Sequence, residues 1–262
     1  MHHVCYAEDQ ELRLVIGIMP PLCSIKYSAY LCIDGICNLR AIVGVLMGGV
    51  KLSAYVLGLT LSALAMVQSA MACGSGKILF DDRFASSDPT WNMSAINEFR
   101  SFGANGLTFK MKPNTVYTYL NQSGYYDDYE ICADVTMQFD AKSNGYLGIA
   151  FWGIDTDNLY ILDVSPAVGQ YAVYRGQKGK FLQPIKWADA AAIKTGTGAT
   201  NALSVAVKGN RAVITINGQK VAEFNGQPPE GGSLPGIDFS TGKNDKTDSV
   251  ESMQNFEVRA LP

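Results

Sequence analysis

Residues 201–224 read NALSVAVKGNRAVITINGQKVAEF, a stretch that few architectures can accommodate. Leu203, Val205 and Val207 alternate with Ser204, Ala206 and Lys208, the period-two pattern of a strand with one buried face. Gly209-Asn210 supplies a two-residue turn in which a positive φ costs little. Ala212, Ile214 and Ile216 then alternate with Val213, Thr215 and Asn217, and Asn217-Gly218 turns the chain once more into residues 220–224. Three short antiparallel strands make a β-meander. Its apolar face cannot be buried by the meander itself, so a second sheet has to cover it.

The flanking chain continues in the same style. Strands are predicted over 78–84, 99–102, 107–111, 116–120, 129–139, 146–152, 159–164, 170–175, 234–240 and 253–260, separated by Gly, Pro, Asn and Asp turns. Ala104-Asn105-Gly106 marks a hairpin. Only residues 187–194 (WADAAAIK) read as a short helix. The fold class is all-β, a two-sheet antiparallel jelly-roll-like sandwich.

The pattern N-x-L-x-V-x-V-x-G-N followed by I-x-I-N-G-x-x-V resembles the late strands of concanavalin A-like jelly rolls, laminin-G-like domains in particular. It is also similar to the bacterial family labelled 3-keto-disaccharide hydrolase, or family-16-like. GYLGIAFWGIDTDNLYILDVSPAVGQYAVYR and PIKWADAAAIKTGTG fit the same layout. The resemblance implies a sandwich fold. It does not by itself choose between lectin, enzyme and silent module, because one fold carries all three.

Residues 1–46 differ from the rest. They hold four of the six cysteines, Cys5, Cys23, Cys32 and Cys37, without alternation or a helical period. Cys32-x4-Cys37 comes close to a zinc-site pair but Cys5 and Cys23 stand alone, so this segment is read as a doubtful upstream extension, unstructured or not translated. From Met47 the chain carries a short n-region with Lys51, an apolar stretch over 52–67, and Ala70-Met71-Ala72, an A-x-A cleavage signature. Residues 47–72 are therefore read as a signal peptide cleaved after Ala72, and 73–262 as the sandwich domain of a secreted or periplasmic protein. Two alternatives stand beside this: residues 41–67 as an uncleaved anchor, or lipid on Cys73. The exported part holds two cysteines, Cys73 and Cys132, whose even number favours a disulfide over two thiols.

Several chemistries are excluded. With a net charge of −3 and no Lys/Arg cluster, the electrostatic footprint of a nucleic-acid binder is missing. Both histidines, His2 and His3, precede the signal, which leaves an exported domain without Ser-His-Asp catalysis or a His-ligated metal. Carboxylates remain as acid–base groups, and a glycosidase needs two of them across a sugar. Catalytic family-16 enzymes set theirs on one strand as E-x-D-x-E. Here Glu130 and Asp134 share a face but Cys132 stands between them, so no catalytic residue is assigned. Asp155-Thr156-Asp157-Asn158 could offer oxygens to Ca²⁺, as sandwiches of the resembled type often do. Leu159 and Pro166 stand where an EF-hand needs ligands, and a plain β-turn accounts for the residues, so no metal or cofactor is assigned.

Positive support falls on glycan binding. If Leu147, Ile149 and Phe151 face the core, alternation turns Tyr146, Gly148, Ala150 and Trp152 outward. Asp163 is out of phase with Tyr160, Leu162 and Val164, and Tyr171 and Arg175 share a face of the next strand. Tyr146, Trp152, Asp163, Tyr171 and Arg175 are the expected ligand-binding residues, for a polysaccharide or cell-surface glycan. Packing of the same aromatics beneath a loop is the alternative. The leading function is a non-catalytic glycan-binding module. A carboxylate glycoside hydrolase and a structural envelope protein are the alternatives.

Overall fold

The computed structural model describes residues 26–33, 36–44, 73–93, 99–140, 145–242 and 245–261. The chain forms two units, Met1–Val67 and Gln68–Pro262. In the first, β1 (Lys26–Ile33) pairs antiparallel with β2 (Ile36–Gly44), in a region whose sequence shows no alternation. Residues 47–72, which the sequence leads one to expect as a signal peptide, lie outside the described residues, and no helix among those described is long and apolar enough to cross a membrane.

The second unit is built from strands, in chain order β3 (Ile78–Asp82), β4 (Arg100–Ser101), β5 (Leu107–Met111), β6 (Val116–Leu120) and β7 (Tyr129–Gln138). β8 (Tyr146–Asp155), β9 (Asn158–Ser165), β10 (Gln170–Gln177) and β11 (Lys180–Asp189) form a run of hairpins. The meander follows as β12 (Thr200–Lys208), β13 (Arg211–Ile216) and β14 (Gln219–Asn225), and β15 (Leu234–Ser240) and β16 (Ser249–Ala260) close the domain. One sheet has the order β11-β10-β9-β8-β15-β6; the other has β14-β13-β12-β7-β16-β5-β4, with β3 also paired to β16. The pairings are antiparallel.

Alternation decides which faces meet. Leu147, Ile149 and Phe151 of β8, Leu162 and Val164 of β9, and Ile237 and Phe239 of β15 are fully buried. From the other sheet come Ile131, Val135 and Met137 of β7, Leu203, Val205 and Val207 of β12, and Ile214 of β13. The two sets interlock, as in the Phe109–Phe239 ring contact at 4.6 Å between β5 and β15. Each such side chain stabilises the fold by roughly 1.5–3 kcal/mol, an upper value because the unfolded chain is not fully extended. The sandwich of two antiparallel sheets, one covering the meander, is the architecture the sequence predicts.

The expected helix at 187–194 is not formed. Trp187, Ala188 and Asp189 complete β11, and a turn follows in which Ile193 donates its N–H to the Ala190 carbonyl at 3.0 Å. Helix propensity of an Ala-rich octet is worth only tenths of a kcal/mol per residue, and pairing with β10 outweighs it. Cys73 and Cys132 form a disulfide with Cα atoms 5.5 Å apart, closing a separation of 59 residues. On the chain-entropy model a loop of this size stabilises by about 4 kcal/mol.

Candidate functional site

The outer face of the six-stranded sheet carries an unusual row. Register places Ala172, Asp163, Gly148, Asp238 and Thr118 side by side across β10, β9, β8, β15 and β6. Gly148 is in the middle because nothing larger fits: a Cβ there would lie 1.7 Å from the Leu162 carbonyl oxygen. Asp163 and Asp238 flank it, 2% and 1% exposed. The Thr118 hydroxyl and the Ser240 hydroxyl, the latter at 2.9 Å, both donate to Asp238. Burial, then the neighbouring charges of Asp238 and Glu251, hold Asp163 well above the usual carboxylate range. Burial raises Asp238 to about 6 against the two hydroxyl donors. Buried Glu251 of β16 is likewise raised by burial and takes the Ser249 hydroxyl at 3.0 Å.

Two residues further along the strands, on the same face, lie Gln170 opposite Ser165, and Tyr146 opposite Ser240. Tyr146 packs edge-on against Trp187 with ring centroids 5.3 Å apart, and Trp187 meets Tyr174 at 6.3 Å. Trp187 Nε1 donates to the Tyr174 hydroxyl at 3.0 Å, which fixes both rings. Trp187 reaches this face through a bulge in β11. Tyr171 and Val173 pair with Ala188 and Ile185, so three steps of β11 span two of β10 and the phase reverses after Ile185, which packs against the core. The three rings, with Ser165, Val168 and Gln170, line an open cavity of ≈ 310 Å³. Burial, then the Asp163 charge, raises the Tyr146 phenol, which shares a hydrogen bond with Ser240 and stays neutral as a donor or acceptor. Flat ring faces beside an amide and hydroxyls suit a ligand with C–H faces and many hydroxyls.

The five residues expected to bind ligand separate. Tyr146 and Asp163 do lie on this outer face, although Asp163 sits beneath its surface. Trp152 does not: it is 3% exposed and packs in the core against Tyr160 at 5.2 Å and Phe224 at 6.2 Å. Alternation fails there because β8 bulges. Trp152 has φ 48°, and the register of β8 with both neighbours shifts at this point. Its backbone N–H donates to the buried Tyr129 hydroxyl at 3.1 Å, and burial pushes that phenol up to about 12. Tyr171 is also core-facing, opposite Val164, and donates its hydroxyl to the Val221 carbonyl at 3.0 Å. Arg175 shares that inner phase but lies at the end of the sandwich, over the Tyr160 ring at 5.5 Å. Trp187, Tyr174 and Asp238 were missed. Tyr174 is out of phase with Tyr171 and Val173, and Asp238 with Ile237 and Phe239, so alternation held both. Trp187 escapes because 187–194 reads as an Ala-rich helix and no strand is expected over β11.

The other acidic groups serve the fold. Glu130 accepts from the Ser204 hydroxyl at 2.5 Å and the Gly74 N–H at 2.9 Å, and Asp134 accepts from Asn255 at 2.6 Å. Asp155 Oδ1 accepts from the Asp157 N–H at 2.8 Å and the Asn158 amide at 2.9 Å, a turn that closes on itself. Among the described residues, the one trio of metal-ligand type within 4.8 Å is Cys73, Glu130 and Cys132, and its sulfurs are bonded to each other.

No family model matches the chain, and no curated protein matches it. Among solved structures it is similar to the carbohydrate-binding module CBM66 from Bacillus subtilis, at 14% identity and TM-score 0.50 over 63% of this chain and 92% of that one. It is more loosely similar to a structure from the endo-acting O-glycanases that prominent members of the human gut microbiota express to initiate mucin breakdown. That match has 11% identity and TM-score 0.47, over 71% of this chain and all of that one. The botulinum neurotoxin type G receptor binding domain matches at 14% identity and TM-score 0.45 over 71% of this chain and 49% of its own. The first likeness concerns the fold, a two-sheet β-sandwich.

Proposed function

We propose that this is an exported, non-catalytic glycan-binding module of concanavalin A-like type, which stacks a sugar ring in the Tyr146–Trp187–Tyr174 cavity. The observation that carries the reading is the bulge that turns Trp187 out of the core phase and onto Tyr146 and Tyr174. A large aromatic on a sheet's outer face is not what folding alone selects. Gln170 and Ser165 supply polar groups for the hydroxyls, and the likeness to a carbohydrate-binding module supports the ligand class. The Cys73–Cys132 disulfide fits an oxidising compartment, reached through the signal at 47–72 with cleavage after Ala72. A glycan array on the purified protein tests it. Trp187→Ala should abolish a signal the wild type gives, while its thermal midpoint stays within a few degrees. A wild-type protein that captures no glycan would end the reading.

A carboxylate glycoside hydrolase is the second reading, favoured by Asp163 and Asp238 facing each other across Gly148. Retaining glycosidases keep their carboxyls about 5–5.5 Å apart with the sugar between them. Both carboxyls are buried beneath the face, out of reach of a sugar lying on it, which weighs for binding alone. Hydrolysis of a glycan bound by wild type and lost in Asp238→Asn would reverse that weighting.

A further inference from the structure

A second cavity, of ≈ 410 Å³, opens at the end of the sandwich where β9, β10 and β11 approach β14. Its walls are Tyr160, Phe224, Leu182 and Pro184, and its polar groups include Arg175 and Gln227. Among the described residues, no carboxylate lines it. Buried Trp152 packs against both Tyr160 and Phe224 and so fixes the apolar floor. Gly226 permits this, since a Cβ there would lie 2.3 Å from the Trp152 ring.

Arg175 is held but not neutralised. It lies over the Tyr160 ring at 5.5 Å and donates one N–H to Gln227 Oε1 at 2.6 Å. The Gln227 N–H donates in turn to the Tyr160 hydroxyl at 3.0 Å. That leaves the remaining guanidinium N–H groups, the Tyr160 O–H and the Gln227 amide N–H₂ as donors, with no carboxylate among the lining residues to receive them. A guanidinium is a planar fork that matches a carboxylate in two parallel hydrogen bonds, and stacking on a ring pre-orients it. The apolar walls would take the body of a ring.

We infer that this cavity is a second ligand site, separate from the Trp187 face, for a pyranose bearing a carboxylate. A fixed cation with spare donors over an aromatic floor selects an anionic ring over its neutral counterpart. The selection comes from the charge-assisted fork, which a carboxylate completes in two parallel hydrogen bonds and a hydroxymethyl group cannot.

Calorimetric titration of the purified protein with methyl β-D-glucuronide and with methyl β-D-glucoside, which differ at C6 alone, tests this. The glucuronide should bind at least about tenfold more tightly, the worth of one charge-assisted hydrogen bond. Arg175→Gln should erase that preference with an unchanged thermal midpoint, and Trp187→Ala should leave it intact. If Arg175→Gln does not fold, Arg175→Lys keeps the charge without the fork and should weaken glucuronide binding about tenfold. Equal binding of the two glycosides would overturn the inference, as would a glucuronide preference that survives loss of the fork. A preference lost in Trp187→Ala but kept in Arg175→Gln would move the anion to the other face and overturn this site alone.

Discussion

At the residue scale, Trp152 shows how one backbone torsion redirects function. Its φ of 48° turns an indole that alternation sends outward into the packing of Phe151, Tyr160 and Phe224. Trp152→Ala should therefore destabilise the protein by about 3–5 kcal/mol, as should Phe151→Ala, both read from denaturant midpoints. A loss below about 1 kcal/mol for Trp152→Ala would mean the indole is not core. Gly226→Ala makes the same point from the other side. Its Cβ would meet the Trp152 ring at 2.3 Å, and the variant should lose about 1–3 kcal/mol as an overpacked site. Unchanged stability would show that the ring has room to move.

At the scale of elements, the meander was legible throughout. Leu203, Val205, Val207, Ala212, Ile214 and Ile216 are all fully buried, because uninterrupted alternation between Gly turns admits one register. β5, β6 and β15 fall on the residues expected, for the same reason. What could not be read were bulges, and two of them decide the site, in β8 at Trp152 and in β11 between Ile185 and Ala188. A bulge adds one residue without a composition signal and inverts every assignment beyond it. The candidate site depends on one of these bulges and loses an expected member to the other. Alternation reaches Tyr146 and Asp163, while Trp187 is lost to the helical reading of the Ala-rich octet 187–194. The bond between the start of the domain and β7 is an element-scale feature that the sequence did show. Replacing Cys73 and Cys132 by Ala should lower stability by about 4 kcal/mol, measured by urea unfolding, and unchanged stability would contradict the cross-link.

For the whole molecule, three buried carboxyls give stability a pH dependence. Asp163, Asp238 and Glu251 have raised affinity for protons in the folded state, chiefly through burial, with Asp238 at about 6. A carboxyl raised above its unfolded value of about 4 contributes stability that is full below that value and is lost as pH climbs through the folded one. The thermal midpoint should consequently fall between pH 5 and pH 8. Glu223, lowered to about 2 beside Arg211, acts in the opposite sense but only below about pH 4, so it does not offset this window. Asp163→Asn should flatten the profile and gain about 1–3 kcal/mol at pH 8, checked by melting curves across that range. A wild-type profile that rises from pH 5 to pH 8 would contradict the buried pair.

The glycan face is tested most directly through the tryptophans. Of the three, Trp91 and Trp152 are buried and Trp187 alone lines the open cavity. Titrating a captured glycan into the protein should produce a saturable change in tryptophan fluorescence that disappears in Trp187→Phe. A change of the same size in Trp187→Phe, or binding without any fluorescence response in the wild type, would place the ligand elsewhere and contradict the account.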